Sequence, residues 1–227
     1  MTGQAPAQGR RDFLKAGAAL GGAAASGLGL AGAAAAGEVA ALPLPEYESW
    51  DAIGIAGLIR RGDIRPGEVL EAALARVEAR SAINAVAVPH YELARAHARA
   101  LDGAGKAERE ARPPLAGVPF ALKDLGVALE GTVTTNGCAF FKDAMADHDS
   151  TLVQRYRTAG LNIFAKLTSP LFGQTATTET RLFGLTRNPW NLAYSSGGSS
   201  GGSSAAIAAG VLPAAHANDG GGSIRIP

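Results

Sequence analysis

The sequence predicts an α/β fold, and two observations carry that prediction. Three short apolar runs with strand character stand at Asn84 to Val88, in "LAGVPFALKDL" and at Asn162 to Leu167. Between them lie segments whose apolar residues recur at helical spacing. Helices alternating with short apolar strands indicate a sheet covered by helices. The 227 residues are 47% hydrophobic and 18% charged with net charge +1, which supplies ample apolar material for a core. That balance excludes a strongly basic nucleic-acid binder. No internal repeat is visible.

The elements follow in chain order. Residues 1–40 read as an export signal: a charged stretch, "GRRDFLK", precedes a Gly/Ala-rich run from Ala16 to Ala36 with small residues suitable for cleavage between about Ala36 and Ala41. The pair Arg10-Arg11 resembles the twin-arginine export signal. The run is about one bilayer span long, yet its many glycines and alanines make it a poor membrane anchor. Trp50 to Arg61 reads as a helix. Pro66 stands where a first-turn proline is tolerated, and Val69, Leu70, Ala73, Leu74 and Val77 follow at helical spacing. Arg76 and Arg80 place positive charge in the closing turns. Helices are expected again over Tyr91 to Leu101 and Thr151 to Ala159. "SPLFGQTATTETRLFGLTRNPWN" reads as a long ordered loop with a turn signal at Asn188-Pro189. Ala205 to Val211 has good helix propensity, and Leu212 to Ala217 reads as a short buried strand.

The small-residue clusters "YSSGGSSGGSSAA" and "NDGGGSIRIP" are the first chemical signal. A flexible linker would continue in the same composition, whereas the first cluster flows into a helix. Glycine at such places lets backbone approach a ligand closely or fold through positive φ. A phosphate-cradling loop would want Lys followed by Ser or Thr at the helix start, where Ser203, Ser204 and Ala205 stand instead. The single Cys138 excludes an internal disulfide and a multi-thiolate metal site, and His90, His97, His148 and His216 form no metal-ligand spacing. No metal is implied. Lys123 conflicts with its buried, apolar surroundings, because lysine is rarely buried without a partner or a task. Asp124 points to the opposite face of a strand and is not its natural ion-pair partner. Desolvation lowers a lysine pKa, and a lysine neutral near pH 7 can act as a base.

"GVPFALKDL", "YSSGGSSGGSSAA" and "NDGGGSIRIP", in this order, resemble the amidase signature family of serine hydrolases. The resemblance runs from about Ala52 to Pro227, and the spacings of 76 positions from Lys123 to Ser199 and 24 from Ser199 to Ser223 agree with it. It implies an α/β amidase-signature fold with a mixed central sheet covered by helices. It also implies a triad of lysine, a serine in a cis peptide and a nucleophilic serine, which on this chain are Lys123, Ser199 and Ser223. Gly198 ahead of Ser199 removes a side chain that would crowd such a bond, and Ser200 is the adjacent rival for the relay, set second on spacing alone. The family pattern more often has Thr-Asp where this chain has Asn218-Asp219, and a proline where Ser196 stands. "HANDGGGSIRIP" with "TRNPWN" is most similar to the branch containing the hydrolase of the cyclic dimer of 6-aminohexanoate.

The chemistry of the residues agrees with this assignment. A serine hydroxyl needs a base within reach, itself oriented by a third group. The implied relay runs from Ser223 through Ser199 to a neutral Lys123. Backbone N–H groups of Gly220, Gly221, Gly222 and Ser223 can converge on the developing oxyanion. Asp219 and Arg225 bracket that loop and are expected to brace it as a buried or half-buried ion pair. The expected activity is hydrolysis of a linear or cyclic carboxamide, a C–N bond other than a peptide bond, without cofactor. The expected partners are a small-molecule amide, the twin-arginine export machinery and a second copy of the chain as a homodimer, with a periplasmic or secreted location. Alternatives are a glutamine-amide hydrolase like the A subunit of a tRNA-dependent amidotransferase, and a non-catalytic binding protein that keeps the fold. The family's domain is roughly twice as long, so residues 41–227 are expected to be the N-terminal portion of one domain whose C-terminal part is absent. Alone, that portion is expected to be inactive and prone to aggregation.

Overall fold

The computed structural model describes residues 42–227, so the export signal expected over residues 1–40 lies outside the described residues. Helix α1 spans Ala52–Arg61 and begins where the Asp51 carboxylate accepts the Gly54 N–H at 2.7 Å. It ends at Gly62, whose φ of 82° is the left-handed conformation that closes helices. Helix α2 spans Pro66–Ala79, with Pro66 in its first turn and Glu68 reaching back to the Arg65 N–H at 2.9 Å. It buries Val69, Leu70, Ala72, Ala73 and Leu74. Arg76 stands in the closing turn as expected and has a second role there. It is buried, donates to the carbonyls of Pro43 and Leu44 and to Glu48, and lies 4.5 Å above the Tyr47 ring.

Strand β1 is Val86–Pro89, followed by helix α3 at Tyr91–Asp102 and a short helix α4 at Lys106–Glu110. Strand β2 is Pro119–Lys123, helix α5 is Thr151–Thr158, and strand β3 is Asn162–Leu167. The sheet order is β1-β3-β2, with β1 antiparallel and β2 parallel to the central β3. Every residue of β2 and β3 is buried, which is why both read as continuous apolar runs rather than alternating ones. The core joins these strands to α1, α2 and α3 through residues such as Ile55, Leu70, Ala94, Leu122 and Phe164.

Beyond β3 the structure departs from the sequence reading in three places. The long loop contains two small hairpins, β4 (Glu179–Thr180) with β5 (Gly184–Leu185) and β6 (Arg187–Asn188) with β7 (Asn191–Ser195), the second turning at the expected Asn188-Pro189. Helix α6 spans Gly201–Ala208 and so starts within the glycine cluster instead of at Ala205. The strand expected over Leu212 to Ala217 does not form. That segment has no regular structure, bends at Pro213 and makes a single backbone bond to the sheet, His216 N–H to the Ala121 carbonyl at 2.9 Å. Pro213 has no N–H to give to a ladder.

Candidate active site

The end of β2, the start of α6 and the loop after residue 217 converge on one point. Lys123 is the last residue of β2 and is wholly buried, 0% exposed. Its Nζ lies 2.7 Å from Ser199 Oγ, 2.9 Å from Ser200 Oγ and 2.7 Å from Asn218 Oδ1. Ser199 Oγ lies in turn 2.9 Å from Ser223 Oγ. Ser199 and Ser200 are buried whereas Ser223 is half-exposed, so the chain of contacts runs from a dry lysine to a reachable hydroxyl. The peptide bond between Gly198 and Ser199 is cis. The hydroxyl of Ser200, the rival for the relay position, reaches Lys123 but donates to the Asn218 carbonyl at 3.1 Å, and its contacts do not include the Ser223 hydroxyl.

The glycines explain how the segments come so near. A Cβ placed on Gly198 would meet the Thr177 carbonyl at 2.7 Å, and one on Gly202 would meet the backbone of Thr168 at 2.5 Å. Side chains there would hold α6 and its serines away from the sheet. Ser200 N–H donates to the Ser223 carbonyl at 3.1 Å, which ties the first small-residue cluster to the second.

The Asp219 carboxylate organises the second cluster. It accepts from Gly222 N–H at 2.7 Å and Ile224 N–H at 3.0 Å, and pairs in two-pronged fashion with Arg225 at 2.8 and 3.0 Å. Arg225 beside it, with these N–H groups, holds the carboxyl well below the usual carboxylate range. The pair is more open than expected, with Asp219 16% and Arg225 75% exposed. One oxyanion donor is corrected: Gly222 has given its N–H to Asp219, whereas those of Gly220, Gly221 and Ser223 have no protein acceptor among the described residues. Gly220 and Gly221 face open space.

Burial pushes the Lys123 ammonium down to about 8, against Asp219, whose charge favours the protonated form. His216 is no rival base. Its Nδ1 accepts the Lys123 backbone N–H at 3.2 Å, and burial followed by the charges of Lys123 and Lys166 pushes it down to about 4.

Sequence reading missed three residues. Lys166, in β3, is as buried as Lys123 and carries the same signal, a lysine closing an apolar run. It pairs in register with Leu122, so it faces away from Lys123; its Nζ bonds the Val127 carbonyl and, at 2.8 Å, Thr134 Oγ1. Burial pushes it down to about 8, opposed by Asp124. Asp124 is itself fully buried and accepts from Thr135 N–H at 2.8 Å and from the Thr135 hydroxyl, so it braces the loop after β2. Asn218 completes the shell around Lys123 and had no signal of its own beyond its place before Asp219.

A cleft of about 530 Å³ opens over Ser199, Ser223, Leu125, Gly173 and Gly220. A larger one of about 620 Å³ lies between α2, β1 and α6, lined by Leu74, Val77, Ile83 and Val86 with Glu71 and Arg95, and none of Lys123, Ser199 and Ser223 reaches it. Among the described residues no group of His, Cys, Asp or Glu could hold a metal ion, and no helix is long and apolar enough to cross a membrane.

A lysine, a serine behind a cis peptide and a second serine, in hydrogen-bond sequence on a mixed sheet, have the form of a serine-nucleophile hydrolase. The Amidase family model matches residues 68–227, and the chain belongs to that family. It is 46% identical over 180 residues to the 6-aminohexanoate-cyclic-dimer hydrolase of Pseudomonas sp. (strain NK87), covering 78% of this chain and 34% of that protein. It is 40% identical over 177 residues to an acylamidase of Rhodococcus erythropolis, covering 78% of this chain and 37% of that one. Among solved structures, 6-aminohexanoate cyclic dimer hydrolase complexed with substrate matches with a TM-score of 0.70 at 44% identity, over 78% of this chain and 35% of that chain. Fatty acid amide hydrolase matches with a TM-score of 0.75 at 26% identity, over 81% of this chain and 33% of that chain. The expected amidase-signature fold is therefore present, and the chain spans about a third of the length of these relatives.

Proposed function

We propose that the protein is an exported amidase that hydrolyses a linear or cyclic carboxamide through an acyl-enzyme on Ser223. The observation that carries this reading is the unbroken contact from Lys123 Nζ to Ser199 Oγ at 2.7 Å and on to Ser223 Oγ at 2.9 Å. With a pKa of about 8, about a tenth of Lys123 is neutral at pH 7. Ser223 Oγ attacks the amide carbon as its proton passes to Ser199 Oγ, and the Ser199 proton passes to the Lys123 amine. The N–H groups of Gly220, Gly221 and Ser223, which have no acceptor among the described residues, would receive the oxyanion, and losing one such donor typically costs about 10²–10³ in rate. As the C–N bond breaks, the proton returns through Ser199 to the leaving amine. Water then attacks the ester, gives its proton to the same relay, and the acid leaves as Ser223 regains its hydrogen.

The cyclic-dimer reading rests on the 46% identity to the Pseudomonas enzyme and on "HANDGGGSIRIP". Export rests on Arg10-Arg11 and the Gly/Ala-rich run that follows, and assembly as a homodimer stands as a further expectation. The test is labelling of the intact enzyme with a serine-reactive fluorophosphonate, beside a hydrolysis screen of cyclic, linear and aryl amides and glutamine. Ser223→Ala should abolish labelling, and Lys123→Ala should slow it by about 10²–10⁴. Lys123→Ala enzyme that keeps more than about a tenth of the wild-type rate near neutral pH would refute the base assignment. A preference for glutamine would point instead to an amidotransferase-like activity, and absence of labelling to a binding protein.

A further inference from the structure

The shell around Lys123 Nζ holds three oxygens, but a neutral amine has only two hydrogens and one lone pair. Two of the oxygens must therefore accept from the lysine, and the third must donate to it. Asn218 Oδ1, at 2.7 Å, carries no hydrogen and can only accept. Ser200 Oγ, at 2.9 Å, has its hydrogen committed to the Asn218 carbonyl at 3.1 Å, so it too accepts. Ser199 Oγ directs its hydrogen to Ser223 Oγ at 2.9 Å, a hydroxyl that can supply that contact with its own hydrogen, so Ser199 is the one free to turn and donate into the lone pair.

We propose that Asn218 is a positioning residue: with Ser200 it occupies both hydrogens of neutral Lys123 and so aims the lysine lone pair at Ser199 Oγ. The proposal deepens the reading of Lys123 as the general base and rests on it. Asn218 holds the amine from the nucleophile loop, so the loop that presents Ser223 also sets the direction of the base. An acceptor without charge is what this place needs. A carboxylate there would hold Lys123 protonated, and an apolar side chain would leave one N–H free to turn the lone pair away from Ser199. The other charged and titratable groups near the amine are Asp219 on the same loop and His216 against the β2 backbone, with Asp124 and Lys166 on the far face of the sheet.

The experiment measures the Lys123 titration in the intact protein by lysine Cε and Nζ NMR, and in parallel the pH dependence of Ser223 labelling by a fluorophosphonate. Asn218→Asp should move the Lys123 midpoint to higher pH by about one to three units, as an opposite charge at this distance does. Asn218→Leu should move it to lower pH, because the ammonium loses an acceptor, while the maximal labelling rate falls. The Lys166 midpoint is the internal reference and should stay in place in both variants. Ser200→Ala, a smaller change in a buried site, should also move the Lys123 midpoint down and serves if the Asn218 variants do not fold. A Lys123 midpoint unchanged in these variants overturns the proposal. If the midpoints move as stated but wild-type Ser223 does not label, the positioning role stands and the reading of Ser223 as nucleophile falls.

Discussion

Gly202→Ala tests whether backbone approach, rather than flexibility, explains the Ser/Gly cluster. By helix propensity alone the change should stabilise α6 by up to about 1 kcal/mol. The structure predicts the opposite sign. The new Cβ would stand 2.5 Å from Thr168 N and 2.6 Å from Thr168 O, both backbone atoms just past the end of β3. Thr168 cannot give way easily, since its N–H donates to the Ala85 carbonyl at 2.9 Å and its own carbonyl accepts the Gly202 N–H at 3.2 Å. Relief to ordinary contact needs a shift of about 1 Å, and overpacking of this kind costs about 1–3 kcal/mol. Net of the helix gain, destabilisation of up to about 2 kcal/mol should lower the melting temperature by about 2–4 °C per kcal/mol. If the start of α6 moves off the sheet by that distance, the 2.7 Å contact between Lys123 and Ser199 passes beyond hydrogen-bond range. Labelling of Ser223 should then slow by about 10² or more, the scale of general-base assistance. Gly103→Ala is the control, since a Cβ there meets nothing within 4 Å and its φ is −83°. It should be neutral or stabilise by about 0.4–1 kcal/mol. Gly202→Ala protein that melts at or above wild type and labels at the wild-type rate would refute the packing argument.

Other outcomes follow from the charges. Lys123 and Lys166 both titrate near 8 in the fold, against an ordinary 10.5, so between those values the unfolded chain binds more protons and stability rises with pH. Each lysine contributes at most about 1.4 kcal/mol per pH unit, and Lys166→Met should halve the slope of denaturant stability against pH over that window; an unaltered slope would mean Lys166 titrates normally. Asp219→Ala frees the Gly222 and Ile224 N–H groups and releases Arg225, so labelling of Ser223 should fall with little loss of melting temperature, the Arg225 end of the pair being 75% exposed; a matching collapse of both would assign Asp219 to stability instead. Arg10→Lys with Arg11→Lys should leave unprocessed precursor in the cytoplasm, and processed periplasmic protein from that variant would remove the twin-arginine reading.

Sequence alone determined the α/β class, because β2 and β3 are apolar over most of their length and the helices beside them keep their spacing. It also singled out Lys123, since a lysine in an apolar strand conflicts with its surroundings, while Ser199 and Ser223 came from the resemblance of their clusters to the amidase signature. Local pattern could not show that Leu212 to Ala217 stays out of the sheet, for its apolar residues suit a strand and only Pro213 and its neighbours decide whether a ladder forms. Nor could it place the start of α6, where glycine's poor propensity is overridden by a backbone contact that only glycine permits. Spacing ranked Ser199 ahead of Ser200, but the physical difference between two adjacent hydroxyls, that Ser199 alone meets the Ser223 hydroxyl, is visible only in the tertiary structure. The same holds for Asn218 and Gly222. Whether an amide oxygen meets a lysine 95 positions away, or a carboxylate three residues back takes an N–H, depends on how the segments meet in space, and composition and spacing carry no record of that.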